Sequence, residues 1–286
     1  MDPREEIQSL LGGEPLRVIA VTSGKGGVGK STISTNLAVL VARAGSRVLL
    51  VDADLGLANA DILLGIRPRH HLGDVLRLEV PVRDVLAEGP HGIRVLSAGS
   101  GLQHLTQLAE LEKLRLLGAL DELEEEFDFV IVDSPAGIGD NVLFFVGAAQ
   151  EALLVVSPEP TSLTDAYAAV KALSQSAGVR HFDVLVNPAA SEAQAREVFG
   201  KLEGITRRFL EAQLSYAGHL PRDENVHRAV MSQRPVVDAY PLSPVSRALE
   251  GVVANLLRRP PPTRLDGGLK FLWHRLMLES AARARA

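Results

Sequence analysis

The plainest chemistry in the chain lies in residues 24–32, which read GKGGVGKST. Glycines at this spacing let backbone N–H groups converge on an anion in conformations where a Cβ would clash. Gly24, Gly26, Gly27 and Gly29, with Val28 between them, therefore form a phosphate cradle. Lys30 brings a compact positive charge to the β and γ phosphates, and Ser31 offers a hydroxyl to magnesium. Thr32 opens the helical pattern at 33–44, whose N-terminus further favours an anion. The spacing G-x-x-x-x-G-K-[ST] stands where such a loop must stand, after an apolar strand and before a helix, and it implies a nucleotide with Mg2+ as the ligand.

Lys25 is a second lysine that phosphate binding does not require. It either reaches across to the nucleotide of another subunit, as an arginine finger does, or is a solvated loop lysine. Two acidic segments accompany the loop, Val51-Asp52-Ala53-Asp54 and Val132-Asp133-Ser134-Pro135-Ala136-Gly137. Acidic residues at sheet ends beside a phosphate loop hold magnesium or orient water, or else cap the segment that follows. Asp133 is assigned to the magnesium and Asp54 to the attacking water. Gly137 is placed to bring its N–H to the γ-phosphate, which would make residues 134–139 a sensor of ATP against ADP.

These residues need a scaffold that gathers strand ends. Runs rich in Val, Ile and Leu at 17–22, 47–52, 93–97, 129–133, 152–157 and 182–187 alternate with helix-length amphipathic segments. That pattern predicts an α/β P-loop NTPase fold, with a mainly parallel sheet flanked by helices on both faces. At 286 residues and 46% hydrophobic, the chain can bury one large core. The organisation expected is an N-terminal segment 1–15, the ATPase domain 16–257, a Pro/Gly-rich linker 258–267 and an amphipathic C-terminal helix and tail 268–286.

Composition excludes several classes. The chain has no cysteine, so it offers no disulfide framework and no thiolate ligand for an iron–sulfur cluster. A formal net charge of −5 with interspersed signs gives no global footprint for nucleic acid. The histidines lack metal-ligand spacing, and the acidic run at 122–128 reads as the solvated face and end of a helix. No stretch reaches the roughly 20 apolar residues needed to span a bilayer, so a cytoplasmic protein is expected, at most peripheral at the inner face of the membrane.

The combination GKGGVGKST, DAD and DSPAG resembles the deviant Walker A, or MinD/ParA, family of ATPases over roughly residues 16–257. Three further segments, LLVDADLGLANADILLGI from Leu49, EPTSLTDAYAAVKAL from Glu159 and PVVDAYPLSPVSRAL from Pro235, are similar to flagellar-number regulators of FlhG/FleN type. The resemblance implies an ATP-dependent homodimer with nucleotides sandwiched at its interface. It makes Lys25 the lysine that touches the partner's phosphates, gives Asp54 the water-activating role, and places adenine contacts on Asn187, Pro221 and Arg222. Relatives that assemble iron–sulfur clusters need cysteines and are set aside. ATP is favoured over GTP because Asn187 is followed by Pro188, Ala189 and Ala190 instead of a guanine-reading Asn-Lys-x-Asp element. Two departures stand out. Pro135 makes the switch segment read as it does in MinD, and the N-terminal MDPREEIQSLLGG lacks the Asp-Gln-Ala motif with which some flagellar relatives stimulate a partner GTPase.

In the tail, Leu269, Leu272, Trp273, Leu276 and Met277 share one side of a helical pattern, opposite Lys270 and Arg275, with Phe271 off the stripe. By pattern alone the helix either inserts into an anionic lipid surface or packs back on the domain. The resemblance implies reversible membrane association. The resulting expectation is a weakly hydrolysing, ATP-gated dimeric switch that regulates flagellar number or placement, with a flagellar transcriptional regulator or assembly factor as partner. The competing readings are a MinD-like division-site positioning ATPase, a ParA-like ATP-dependent DNA binder and a non-hydrolysing scaffold.

Overall fold

A computed structural model describes residues 16–258 apart from 57, 100–107 and 124–125. The N-terminal segment, the linker beyond 258 and the tail helix with Leu269, Phe271, Leu272, Trp273 and Leu276 lie outside the described residues. Six of the strands are the apolar runs seen in the sequence: β1 (Arg17–Ser23), β2 (Val48–Asp52), β4 (Arg94–Leu96), β5 (Phe129–Ala136), β6 (Glu151–Val156) and β7 (His181–Ala189). Two more, β3 (Ala87–Glu88) and β8 (Gln213–Pro221), complete one eight-stranded sheet in the order β3-β4-β2-β5-β1-β6-β7-β8. Every pairing is parallel except that of β3 with β4.

Residues of alternate parity along each strand feed two separate cores. Ile19, Val21, Leu50 and Ile131 face the layer of α1 (Lys30–Arg43), α6 (Glu224–Met231) and α7 (Pro244–Leu257). Val18, Ala20, Val51 and Val132 face the layer of α2 (Glu110–Asp121), α3 (Asp140–Ala148), α4 (Pro160–Ser176) and α5 (Glu192–Phe209). Burial on both faces is why the central strands read as unbroken apolar runs. None of the described helices is long and apolar enough to cross a membrane.

Of the acidic run at 122–128, Glu122 is the exposed C-cap of α2, as expected of a helix end, while beyond it Glu126 pairs with Arg83 and Asp128 with Arg47. The two carboxylates are stabilised by arginines distant in sequence, which a purely local reading of the charge run cannot anticipate.

At the opposite end of β1 from the phosphate loop, Arg17 begins the strand with its side chain only 2% exposed. Its guanidinium grips the Glu151 carboxylate bidentately at 2.9 and 2.7 Å and donates to the Leu256 carbonyl at 3.0 Å, tying α7 to the sheet. Arg17→Ala is expected to lower unfolding free energy by about 3–5 kcal/mol, because it removes the buried guanidinium together with its hydrogen bonds to Glu151 and to the Leu256 carbonyl. The double variant Arg17→Met/Glu151→Leu is expected to recover most of that loss, as measured by urea midpoints.

Candidate functional site

The sheet order decides what meets the phosphate loop. β1 lies between β5 and β6, with β2 beyond β5, so the loop that leaves β1 rises beside the ends of β5 and β2. Asp133 of β5 is the direct register partner of Asp52 of β2 and of Val21 of β1. Neighbouring residues in register on parallel strands point to the same side of the sheet. Asp52 and Asp133 therefore both face α1, in line with Leu50 and Ile131 before them.

The loop itself is held at several points. Gly27 and Gly29 adopt φ of 78° and 92°, the left-handed region that glycine accepts without a Cβ penalty. A Cβ on Gly24 would lie 2.1 Å from the carbonyl oxygen of Asp165, so that position admits nothing larger against α4. Val28 is buried in the α1-side core, and its carbonyl accepts a hydrogen bond from Asn187 Nδ2 at 2.8 Å. Asn187 thus secures the loop from β7, while Pro221 ends β8 beside it, in register with Ala189, and Arg222 follows exposed. These are the three residues expected at adenine, and the fold gathers them at the same sheet end as the loop.

The two lysines occupy different environments. Lys30 is 8% exposed, and burial pulls its ammonium below the ordinary lysine range, opposed by the negative charges of Asp133 and Asp54. Lys25 is 40% exposed and turns back onto its own chain, with Nζ 2.6 Å from Glu159 Oε2 and 3.5 Å from Thr161 Oγ1. The hydrogen bond that Lys25 donates to Glu159, then the charge of that carboxylate, raise the Lys25 pKa. Glu159 precedes α4, whose Asp165 also abuts Gly24, so one helix start contacts the loop twice.

Asp133 is 1% exposed. Burial pushes its carboxyl well above the ordinary carboxylate range, against the Ser31 and Ser34 hydroxyls and Lys30, which favour the charged form. The Ser34 hydroxyl lies 3.0 Å from Oδ1, but Oδ2 is buried with no hydrogen-bond partner. An orphaned buried carboxylate oxygen is costly unless something cationic or hydrated completes it. With the Ser31 hydroxyl at the head of α1 and open space beyond Gly26 and Gly27, the residues fit a Mg2+–nucleotide group. Asp54 is half-buried in the loop after β2, close enough that its charge is felt by both Lys30 and Asp133.

Gly137 has φ of 96° and nothing near the position of a Cβ, as a residue that approaches a phosphate requires. Its N–H, however, donates to the Ser23 carbonyl at 2.9 Å, so a contact with a γ-phosphate means exchanging that bond. Three supporting residues escape a reading by motif: Ser34, Asp52 and Glu159. Ser34 looks like one more polar residue of the helix, and Asp52 sits beside the more obvious Asp54. Glu159 had a legible signal, an acid just past the apolar run of β6, but only the fold sets it against Lys25.

A family model described as ParA, NUBPL iron-transfer P-loop NTPase, matches residues 15–257. The chain is 46% identical to the antiactivator FleN of Pseudomonas aeruginosa over 267 residues, 93% of this chain and 95% of FleN. It is 28% identical to the flagellum site-determining protein YlxH of Helicobacter pylori, over 91% of this chain and 90% of YlxH. Its fold matches that of the septum site-determining protein MinD of Pyrococcus horikoshii complexed with Mg-ADP, with a TM-score of 0.70 and 25% identity over 83% of this chain and 94% of MinD.

Proposed function

Because the chain belongs to the ParA/MinD family of P-loop NTPases, we propose that it is an ATP-dependent dimeric switch with slow hydrolysis that regulates flagellar number or placement. The observation that carries this reading is the division of labour between two lysines in one loop. Lys30 is buried among the carboxylates of its own site, whereas Lys25 is half-exposed and held by Glu159 and Thr161 at the start of α4. The first serves the chain's own nucleotide; the second is available to a second copy.

In this scheme the backbone of residues 24–32 and Lys30 hold the ATP phosphates, and Asn187, Pro221 and Arg222 line the adenine. Ser31 and Asp133 hold Mg2+, which when bound offsets the negative charge of the phosphates. Asp54 orients the attacking water and Lys25 enters the partner's site. Gly137, once it releases the Ser23 carbonyl, senses the γ-phosphate. The similarity to FleN, an antiactivator, favours a transcriptional activator as partner, with a flagellar assembly factor the other candidate. The tail of residues 268–286 supplies reversible membrane association, strengthened when dimerisation presents two copies. A second reading, a MinD-like division-site positioning ATPase, is favoured by the fold match to MinD and by Pro135.

The test is the solution mass of Asp54→Ala, the variant that should hold ATP unhydrolysed, with ADP and then with ATP and Mg2+, each with and without anionic liposomes. A doubling of mass with ATP alone, accompanied by liposome binding, is expected. A constant mass would remove the dimeric switch and leave a nucleotide-binding protein of another kind.

A further inference from the structure

Asp52 is a buried acid that the phosphate chemistry leaves without a task. It ends β2 with 0% exposure, two residues before Asp54, and its carboxylate is fully committed to backbone donors. Oδ1 accepts from the Asp54 N–H at 3.1 Å, and Oδ2 accepts from the Asn59 and Ala60 N–H groups at 3.0 Å each. The Ala53 N–H extends the sheet ladder to the Asp133 carbonyl at 2.9 Å. The chain therefore leaves β2 and returns eight residues later to the same carboxylate, at the start of the helical turn Ala60–Leu64.

We propose that Asp52 is the positioning residue for Asp54: by holding the N–H groups of Asp54, Asn59 and Ala60 on one buried carboxylate, it fixes the backbone from which Asp54 faces Lys30 and Asp133. A carboxylate offers acceptors on both oxygens, whereas asparagine would turn an N–H2 group towards a donor. A direct magnesium role is the competing explanation, but both oxygens of Asp52 are occupied by the backbone, while Asp133 has the open one. Acidic character at the end of β2 is thus divided: Asp52 builds the loop and Asp54 uses it.

The inference rests on Asp54 acting on the attacking water, and the experiment separates the two. Full-length Asp52→Asn, Asp54→Asn and the double variant are compared for ATP turnover, ATP affinity and Mg2+ titration, with amide hydrogen exchange of residues 53–60 followed in nucleotide-free protein. Asp52→Asn is expected to lower kcat by about 10- to 100-fold with ATP affinity and Mg2+ midpoint nearly unchanged, the cost of a misplaced group and not of a lost ligand. Exchange over 53–60 should quicken, and the double variant should be no slower than Asp54→Asn. Asp52→Glu, which keeps both acceptor oxygens, should turn over faster than Asp52→Asn. Unchanged kcat, an additive loss in the double variant, equal losses in the Glu and Asn variants, or a shifted Mg2+ midpoint with undisturbed exchange would each overturn the assignment. Normal turnover by Asp54→Asn alone would overturn the role of Asp54 itself, and is recognisable because Asp52 is then intact.

Discussion

Lys30→Ala is expected to weaken ATP binding by roughly 10²- to 10⁴-fold, corresponding to about 3–5 kcal/mol, the range seen when one member of a buried charged pair is removed. The magnitude follows from where the ammonium sits. It is 8% exposed, already stripped of most of its water, and flanked by the negative charges of Asp133 and Asp54. Desolvation has been incurred in folding, so the phosphates meet a cation that needs little further dehydration. The fixed glycine loop and the end of α1 add further attraction, which is why some residual affinity should persist in the variant. Equilibrium binding of a fluorescent ATP analogue, with a thermal melt to establish that the variant is folded, measures the loss. An affinity within about threefold of the parent would show that the backbone cradle carries the binding and that Lys30 acts elsewhere.

Lys25→Ala should behave in the opposite way, keeping ATP affinity in the monomer while losing dimerisation and about 10³- to 10⁵-fold of partner-stimulated turnover, the span attributed to a cation delivered in trans. The geometry supports separable effects. Lys25 makes its ion pair to Glu159 on the surface, away from the buried Lys30, and contributes nothing to the core. That ion pair also predicts the behaviour of its partner. If Lys25 must leave Glu159 to reach a second nucleotide, Glu159→Gln should favour the ATP dimer, by only a few-fold because exposed ion pairs are weak and screened by salt. Mass photometry against protein concentration, at low and high salt, reads both variants. Normal ATP-dependent dimerisation by Lys25→Ala would sink the assignment in trans, and a Glu159→Gln dimer weakened at every salt concentration would show that Glu159 is needed in the dimer itself.

How far these sites could be read without coordinates depends on whether the signal was local. The phosphate loop is local. Its glycines, its lysine and the strand and helix around it occupy one short stretch, so residues 24–32 and α1 are legible from spacing. The central strands were legible for a related reason, since burial on both faces confines the polar residues of β1, β2, β5 and β6 to the strand ends and leaves apolar runs between them. β8 escaped because it closes the sheet as an edge strand, and QLSYAGHLP mixes half-buried polar and apolar positions instead of a clear run. β3 escaped because two residues carry no periodicity at all.

The sequence by itself determined the chemistry on offer: a phosphate loop, a spare lysine, acidic strand ends and no thiol. Which acid does what was decided by tertiary structure. The sequence DAD presents two aspartates of equal standing, and only the adjacency of β2 with β5 buries one beside Asp133 and leaves the other half-exposed towards Lys30. The same holds for Lys25 and Glu159, which lie far apart in the chain until β6 takes its place beside β1 and brings the start of α4 against the loop. Residue type and spacing fix what a group can donate or accept, whereas burial and neighbouring charge, which set its ionisation and direction, arise from strand order and exist only once the sheet has formed.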